Sequence, residues 1–152
     1  MQENAKETKD FFISYNSANR DWAEWIAQQL EDENHSTIIQ AWDFRLGANF
    51  ILEMDKATKQ ARRTIAVLSP NYLQALYTQP EWAAAFRQDP TGQYRTLLPI
   101  RVEECQPEGL LASIVYIDLV NLGEHEAREA LLNGIIRERV LPKEKPSFPG
   151  KN

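Results

Sequence analysis

The chain has 152 residues and carries 17 basic and 22 acidic side chains, for a net charge of −5. At 43% hydrophobic and 26% charged it falls in the globular range, and its length suits one domain with a core that needs no staples. Mild acidity argues against a broad nucleic-acid footprint, and the single Cys105 excludes an internal disulfide framework.

Residues 1–9 carry no apolar pattern and are expected to be flexible, and they lack the apolar stretch of a secretory signal. Phe11, Phe12 and Ile13 open a strand that ends in the turn-prone Asn16-Ser17-Ala18-Asn19. Trp22, Trp25, Ile26 and Leu30 then recur at spacings of three and four, which predicts an amphipathic helix to about Glu31. The β-branched stretch 37–42 predicts a second strand, followed by Asp43 and a loop holding Gly47. Phe50, Met54, Ala57 and Ala61 form a second helical stripe. The continuous apolar run 64–68 reads as a central parallel strand covered on both faces, and it is far too short to span a membrane.

The second half alternates less cleanly. Residues 81–87 read as a short helix, 96–101 as a strand and 115–118 as a fifth strand. Pro99 cannot donate to a ladder, which places its strand towards an edge or at a bulge. Ala127, Leu131, Leu132, Ile135, Ile136 and Val140 mark a long C-terminal helix. Residues 142–152 hold three of the eight prolines and three lysines, as in a linker to a further domain or a frayed end. The expected layout is therefore a domain over 10–140 between a flexible 1–9 and a tail at 141–152. The five strand–helix alternations predict an α/β fold, a five-stranded parallel sheet with helices on both faces.

In such sheets ligands bind beyond the carboxyl ends of the strands, and several chemistries fail there. The glycines, at 47, 92, 109, 123, 134 and 150, permit neither a dinucleotide fingerprint nor a phosphate loop. No nucleophile elbow is present, and the acidic neighbours Glu103 and Glu104 would raise the pKa of Cys105. The third strand ends Leu68-Ser69-Pro70, without the aspartate of a phosphoacceptor domain. His35 and His125 stand far apart with no clustered thiols, so no metal site is expected.

Four segments, in order, resemble the Toll/interleukin-1 receptor (TIR) domain of the bacterial type. They are Asp10-Phe11-Phe12-Ile13-Ser14-Tyr15; Trp42-Asp43-Phe44-Arg45-Leu46-Gly47-Ala48-Asn49-Phe50; Leu68-Ser69-Pro70-Asn71-Tyr72-Leu73 followed by Glu81-Trp82; and the strand pair at 96–102 and 115–119. The resemblance covers roughly residues 8–140 and implies a flavodoxin-like three-layer sandwich with strand order 2-1-3-4-5. It further implies a cytoplasmic NAD+ glycohydrolase or cyclase in bacterial defence signalling, with NAD+ as substrate and no retained cofactor. Other TIR domains are the implied partners, with neither nucleic acid nor membrane.

The same resemblance places catalysis on Glu81. A lone carboxylate suits the reaction, because nicotinamide leaves NAD+ without a general acid and the site need only orient the ribose and stabilise an oxocarbenium-like centre. Thr78-Gln79-Pro80-Glu81 also fits a capping box, which would make Glu81 structural. Tyr77 stands where enzymatic relatives carry tryptophan, and would stack on nicotinamide or serve as a rim aromatic. Asp43 is a candidate for the ribose or for a loop cap; Phe12, Tyr15, Asn16 and Arg45 are further candidates for substrate contact. Arg45, Leu46, Gly47 and Phe50 belong to the segment that corresponds to the assembly-mediating BB loop of the family. The rival reading is a non-catalytic TIR–TIR interaction module.

Overall fold

The computed structural model describes residues 8–78, 96–136, 141–142 and 144–151. In chain order these form β1 (Lys9–Ser14), a 3-10 turn (Ser17–Asn19), α1 (Arg20–Asp32), β2 (Thr37–Ile39), α2 (Gln40–Asp43), α3 (Phe50–Gln60), β3 (Ala61–Leu68), α4 (Pro70–Thr78), β4 (Leu97–Arg101), a second 3-10 turn (Gly109–Ser113), β5 (Ile117–Asp118) and α5 (Glu124–Ile135). The five strands pair in parallel in the order β2-β1-β3-β4-β5. This is the flavodoxin-like three-layer sandwich. No helix among the described residues is long and apolar enough to cross a membrane.

Side-chain alternation along the strands divides the core into two layers. Phe11, Ile13, Ile65, Val67, Leu98 and Ile100 face α1 and α5, whose Ile26, Leu30, Leu131 and Ile135 close over them. Phe12, Ala66, Leu68 and Leu97 face the other way, against Met54 and Ala57 of α3 and Tyr72 and Leu73 of α4. The apolar run of β3 is completely buried from residue 63 onward because it lies at the centre, with a helix layer on each face. Asn49 starts α3 by accepting the Leu52 N–H at 3.0 Å, and the Ser69 hydroxyl accepts the Tyr72 N–H at 3.1 Å at the start of α4.

Several elements depart from the sequence expectation. The second strand stops at Ile39, and residues 40–43 coil into α2. The Asp43 carboxylate accepts the Ile39 N–H at 2.8 Å and so closes a helical turn where an extended strand was expected. Ala61 belongs to β3, paired with Lys9, and not to the preceding helix. α4 is a helix that the hydrophobic pattern did not suggest. β5 retains two residues of the four expected.

β4 is second from the edge, yet its proline is tolerated for a geometric reason. In a parallel ladder the N–H and C=O of one residue point to the same side. Thr64 donates to Thr96 and Val102 donates to Leu68, while Leu119 donates to Arg101. Even residues of β4 therefore face β3 and odd ones face β5. The missing donor of Pro99 points to the β5 side, before that strand begins its pairing at Ile117. The predicted helix 81–87 and Val140 lie outside the described residues.

Candidate functional site

The order of the strands reverses between β1 and β3, so the carboxyl ends of these two strands define the topological switch point where such folds bind ligands. β1 ends at Ser14, whose hydroxyl lies 3.0 Å from the Tyr72 hydroxyl on α4. Both side chains are buried, and burial pushes the Tyr72 phenol up to about 12 despite the hydrogen bond to Ser14. The pair ties the start of α4 to the exit of β1.

Beside it a groove of about 320 Å³ runs between the β1 exit and the 44–50 loop, with Tyr15, Phe44 and Phe50 as aromatic walls and Arg20 and Arg45 as cations. Tyr15 is 5% exposed; desolvation raises its pKa, against a backbone hydrogen bond to Ala41 and the charge of Arg20. Glu53 also lines the groove, and Glu24 pairs with Arg20 at 3.3 Å on an exposed helix face. Arginine and aromatic side chains lining one groove form a surface suited to phosphate oxygens and to a stacked ring.

The loop is pinned at both ends and open at its tip. Phe44 stacks on Phe12 with centroids 6.3 Å apart, and Phe50 meets Phe44 edge-on at 6.1 Å. Between these anchors, Ala48 donates to the Arg45 carbonyl at 3.0 Å, and Gly47 takes φ +87°, the left-handed conformation at the third position of a type II turn. Leu46, at the second position of the turn, is fully exposed.

The expected site residues thus separate. Tyr15, Arg45, Leu46, Gly47 and Phe50 gather on the groove. Phe12 is 2% exposed and supports the loop from beneath. Asn16 uses its side-chain carbonyl to accept the Ala18 N–H at 3.0 Å and start the 3-10 turn. Asp43 is absent from the groove lining; it caps α2 and faces a shallower hollow with Lys9 and Lys56.

Tyr77, half exposed near the end of α4, has its hydroxyl bonded twice to Glu108: it donates to the carbonyl at 3.0 Å and accepts the N–H at 2.7 Å. Thr78 is the last described residue of α4, and its hydroxyl donates to the Gln74 carbonyl at 2.7 Å. That helical position differs from the extended one an N-cap takes. Glu81, and with it Trp82, lies outside the described residues.

Arg20, Phe44 and Glu53 line the groove without having been candidates from the sequence. Arg20 stands at the positive end of the α1 dipole, an unfavourable place for a cation that its i,i+4 pair with Glu24 at 3.3 Å offsets. Cys105 is buried, and its thiol pKa is raised first by desolvation, with Arg101 opposing and Glu104 and Glu103 adding smaller amounts. Burial therefore outweighs the acidic neighbours invoked from sequence. Among the described residues no group of three or more His, Cys, Asp or Glu side chains could hold a metal ion.

A family model described as TIR domain matches residues 11–132. Among solved structures, the metazoan TIR-STING receptor from C. gigas in complex with 2',3'-cGAMP superposes with a TM-score of 0.70 at 20% identity, over 86% of this chain and 41% of that one. The chain thus spans about two-fifths of that receptor. The TIR domain of the Toll-related receptor TRR-2 from Hydra magnipapillata gives a TM-score of 0.62 at 23% identity, over 83% of this chain and 94% of that one. A prokaryotic SEFIR domain gives 0.67 at 19% identity, over 94% and 100%. No curated protein matches the sequence significantly. The parallel sheet, the pinned loop after β2 and the family match over residues 11–132 lead to one conclusion: this chain belongs to the TIR-domain family.

Proposed function

We propose that this TIR domain cleaves the nicotinamide–ribose bond of NAD+, giving nicotinamide and ADP-ribose or a cyclic isomer of it. The observation that carries the reading is the groove between the β1 exit and the 44–50 loop, lined by Arg20 and Arg45 together with Tyr15, Phe44 and Phe50. The guanidinium groups suit the pyrophosphate and the aromatic side chains suit a base. Glu81 stands three residues after Thr78 in the sequence and is the proposed catalytic carboxylate, accepting hydrogen bonds from the ribose hydroxyls and favouring the cationic transition state. Thr78, helical and bonded to Gln74, weakens the competing view that Glu81 completes a capping box.

Tyr77 and Asp43 take different parts in the proposal from those the sequence suggested. The Tyr77 ring remains half exposed and able to stack, while its hydroxyl holds the 108 backbone. Asp43, with Asn16 and Phe12, shapes the β1 and β2 exits and leaves direct contact to Tyr15, Arg20 and Arg45. In this reading activity rises with self-assembly of the cytoplasmic domain in bacterial defence, the exposed tip at Leu46 meeting a neighbouring TIR domain. A fully exposed leucine on a loop pinned at both ends also favours the second reading, a TIR–TIR interaction module without catalysis.

NAD+ consumption at high protein concentration, for wild type and Glu81→Gln, tests the choice. The expected result is turnover that rises in specific activity with protein concentration and is abolished by Glu81→Gln at unchanged melting temperature. Equal, negligible rates in both proteins would leave only the interaction module.

A further inference from the structure

On the opposite helix layer, α1 and the start of α5 leave an open groove of about 410 Å³ lined by Asp21, Trp22, Trp25, Leu122, Glu124 and Ala127. The two indoles meet edge-to-face with centroids 5.9 Å apart, and Trp25 donates to Glu124 at 3.2 Å. The Trp22 side chain is only partly buried, and its indole N–H has no hydrogen-bond partner among the described residues. Acidic side chains in the first turns of both helices are explained by the helix dipoles. Both indoles pack against the core on one side and line the groove on the other.

The opposite chemistry lies in the same chain. Residues 142–152 carry three lysines against one glutamate, and Pro146-Ser147-Phe148-Pro149 follows directly on Lys145. Prolines spaced in this way favour the extended polyproline II form, which docks into aromatic-lined grooves with little ordering cost and offers its carbonyls to indole donors. Leu141 and Phe148 are 66% and 69% exposed, and none of the described tail residues lines the groove of its own chain. We propose that the Trp22/Trp25 groove binds the proline-rich tail of a second copy. Phe148 and the prolines lie along the indoles, and Lys145 pairs with the rim formed by Asp21 and Glu124. Such a contact is head-to-tail, so each copy offers one groove and one tail. It does not depend on the proposed NAD+ chemistry, and the two grooves share no lining residue although α1 borders both.

Sedimentation of the full chain over a range of concentrations, without NAD+, tests it. Wild type is expected to self-associate, and the tail variant Pro146→Ala/Phe148→Ala to do so about tenfold or more weakly, as loss of an aromatic anchor implies. The groove variant Trp22→Ala is expected to behave alike, with Glu124→Lys as a second groove variant should the first lose its fold. An equimolar mixture of one tail variant and one groove variant is expected to form a dimer limited to two chains, since one intact groove and one intact tail remain. A monomeric wild type, a tail variant that associates like wild type, or a mixture no better than its components would overturn the proposal. So would a tail variant that changes the tryptophan fluorescence of a wild-type monomer, because the occupant would then be the chain's own tail.

Discussion

The Ser14–Tyr72 pair joins the last residue of β1 to the first turn of α4, and its removal should be measurable in two independent ways. Both side chains are buried, 4% and 1% exposed, and their hydroxyls lie 3.0 Å apart. Either Ser14→Ala or Tyr72→Phe strips a buried hydroxyl of this partner, which costs about 1–3 kcal/mol. The double variant replaces both hydroxyls by apolar groups, so its cost should fall short of the sum by about 0.5–1.5 kcal/mol. Urea unfolding with matched m-values reads the cycle. The second readout is alkaline. The unfolded phenol ionises near its ordinary value of about 10, whereas the folded one is held at about 12. Between these values the unfolded state binds fewer protons, so stability is fully present below about pH 10 and falls as pH rises through about 12. The wild type should lose about 2–3 kcal/mol more than Tyr72→Phe across that window, the other tyrosines cancelling in the difference. Additive single variants, or alkaline limbs of equal slope, would refute the assignment of this pair as a buried tether.

Three further outcomes follow from the site. Asp43→Ala removes the carboxylate that accepts the Ile39 N–H, and should cost about 0.5–2 kcal/mol in a thermal melt while leaving the KM for NAD+ unchanged. A raised KM at constant melting temperature would instead place Asp43 on the ribose. Gly47→Ala forces an L side chain to φ +87° where the added Cβ meets nothing within 4 Å, so the penalty is backbone strain alone, about 1–2 kcal/mol by chemical denaturation. Asp118 accepts two hydrogen bonds from Arg101, at 3.2 and 2.8 Å, and that partner holds its carboxyl below the usual range. Its stabilisation is present above about pH 4 and lost as pH falls through the lowered value, so Asp118→Asn should flatten the acid limb of a melting-temperature profile.

β1, α1, β3 and α5 could be read from the sequence because burial imposes a period on them: two helix layers give β3 its continuous apolar run, and one buried face gives α1 its stripe. The elements that escaped are decided by single polar contacts. Asp43 reaches back four residues to the Ile39 N–H and converts a strand end into a helical turn, a choice that β-propensity alone cannot anticipate. α4 is hidden by its brevity, although Ser69 followed by Pro70 is a helix-start signal. The 44–50 loop was legible from Gly47 and its flanking aromatics. The bond between Tyr77 and Glu108 spans 31 residues, and nothing local in either segment announces it.

The division between structural and available side chains at the carboxyl edge sharpens the chemistry. Asn16 and Asp43, both candidates for substrate contact, and the hydroxyl of Tyr77, whose ring was the candidate, each satisfy a backbone N–H that would otherwise go without a partner. Spending them there is what allows the β1 exit, α2 and the 108 segment to hold fixed shapes around the groove. What remains for a ligand is mainly cationic and aromatic, Arg20, Arg45, Tyr15, Phe44 and Phe50, with Glu53 as the acidic member and Arg20 also paired to Glu24. The whole chain, at −5, repels an anionic ligand at long range, whereas screening confines any such field to about 8 Å under physiological salt. In the proposed NAD+ chemistry, recognition of the pyrophosphate would therefore fall to short-range contacts with the two guanidinium groups, whose fork geometry suits phosphate oxygens, and the bond-breaking step would fall to Glu81.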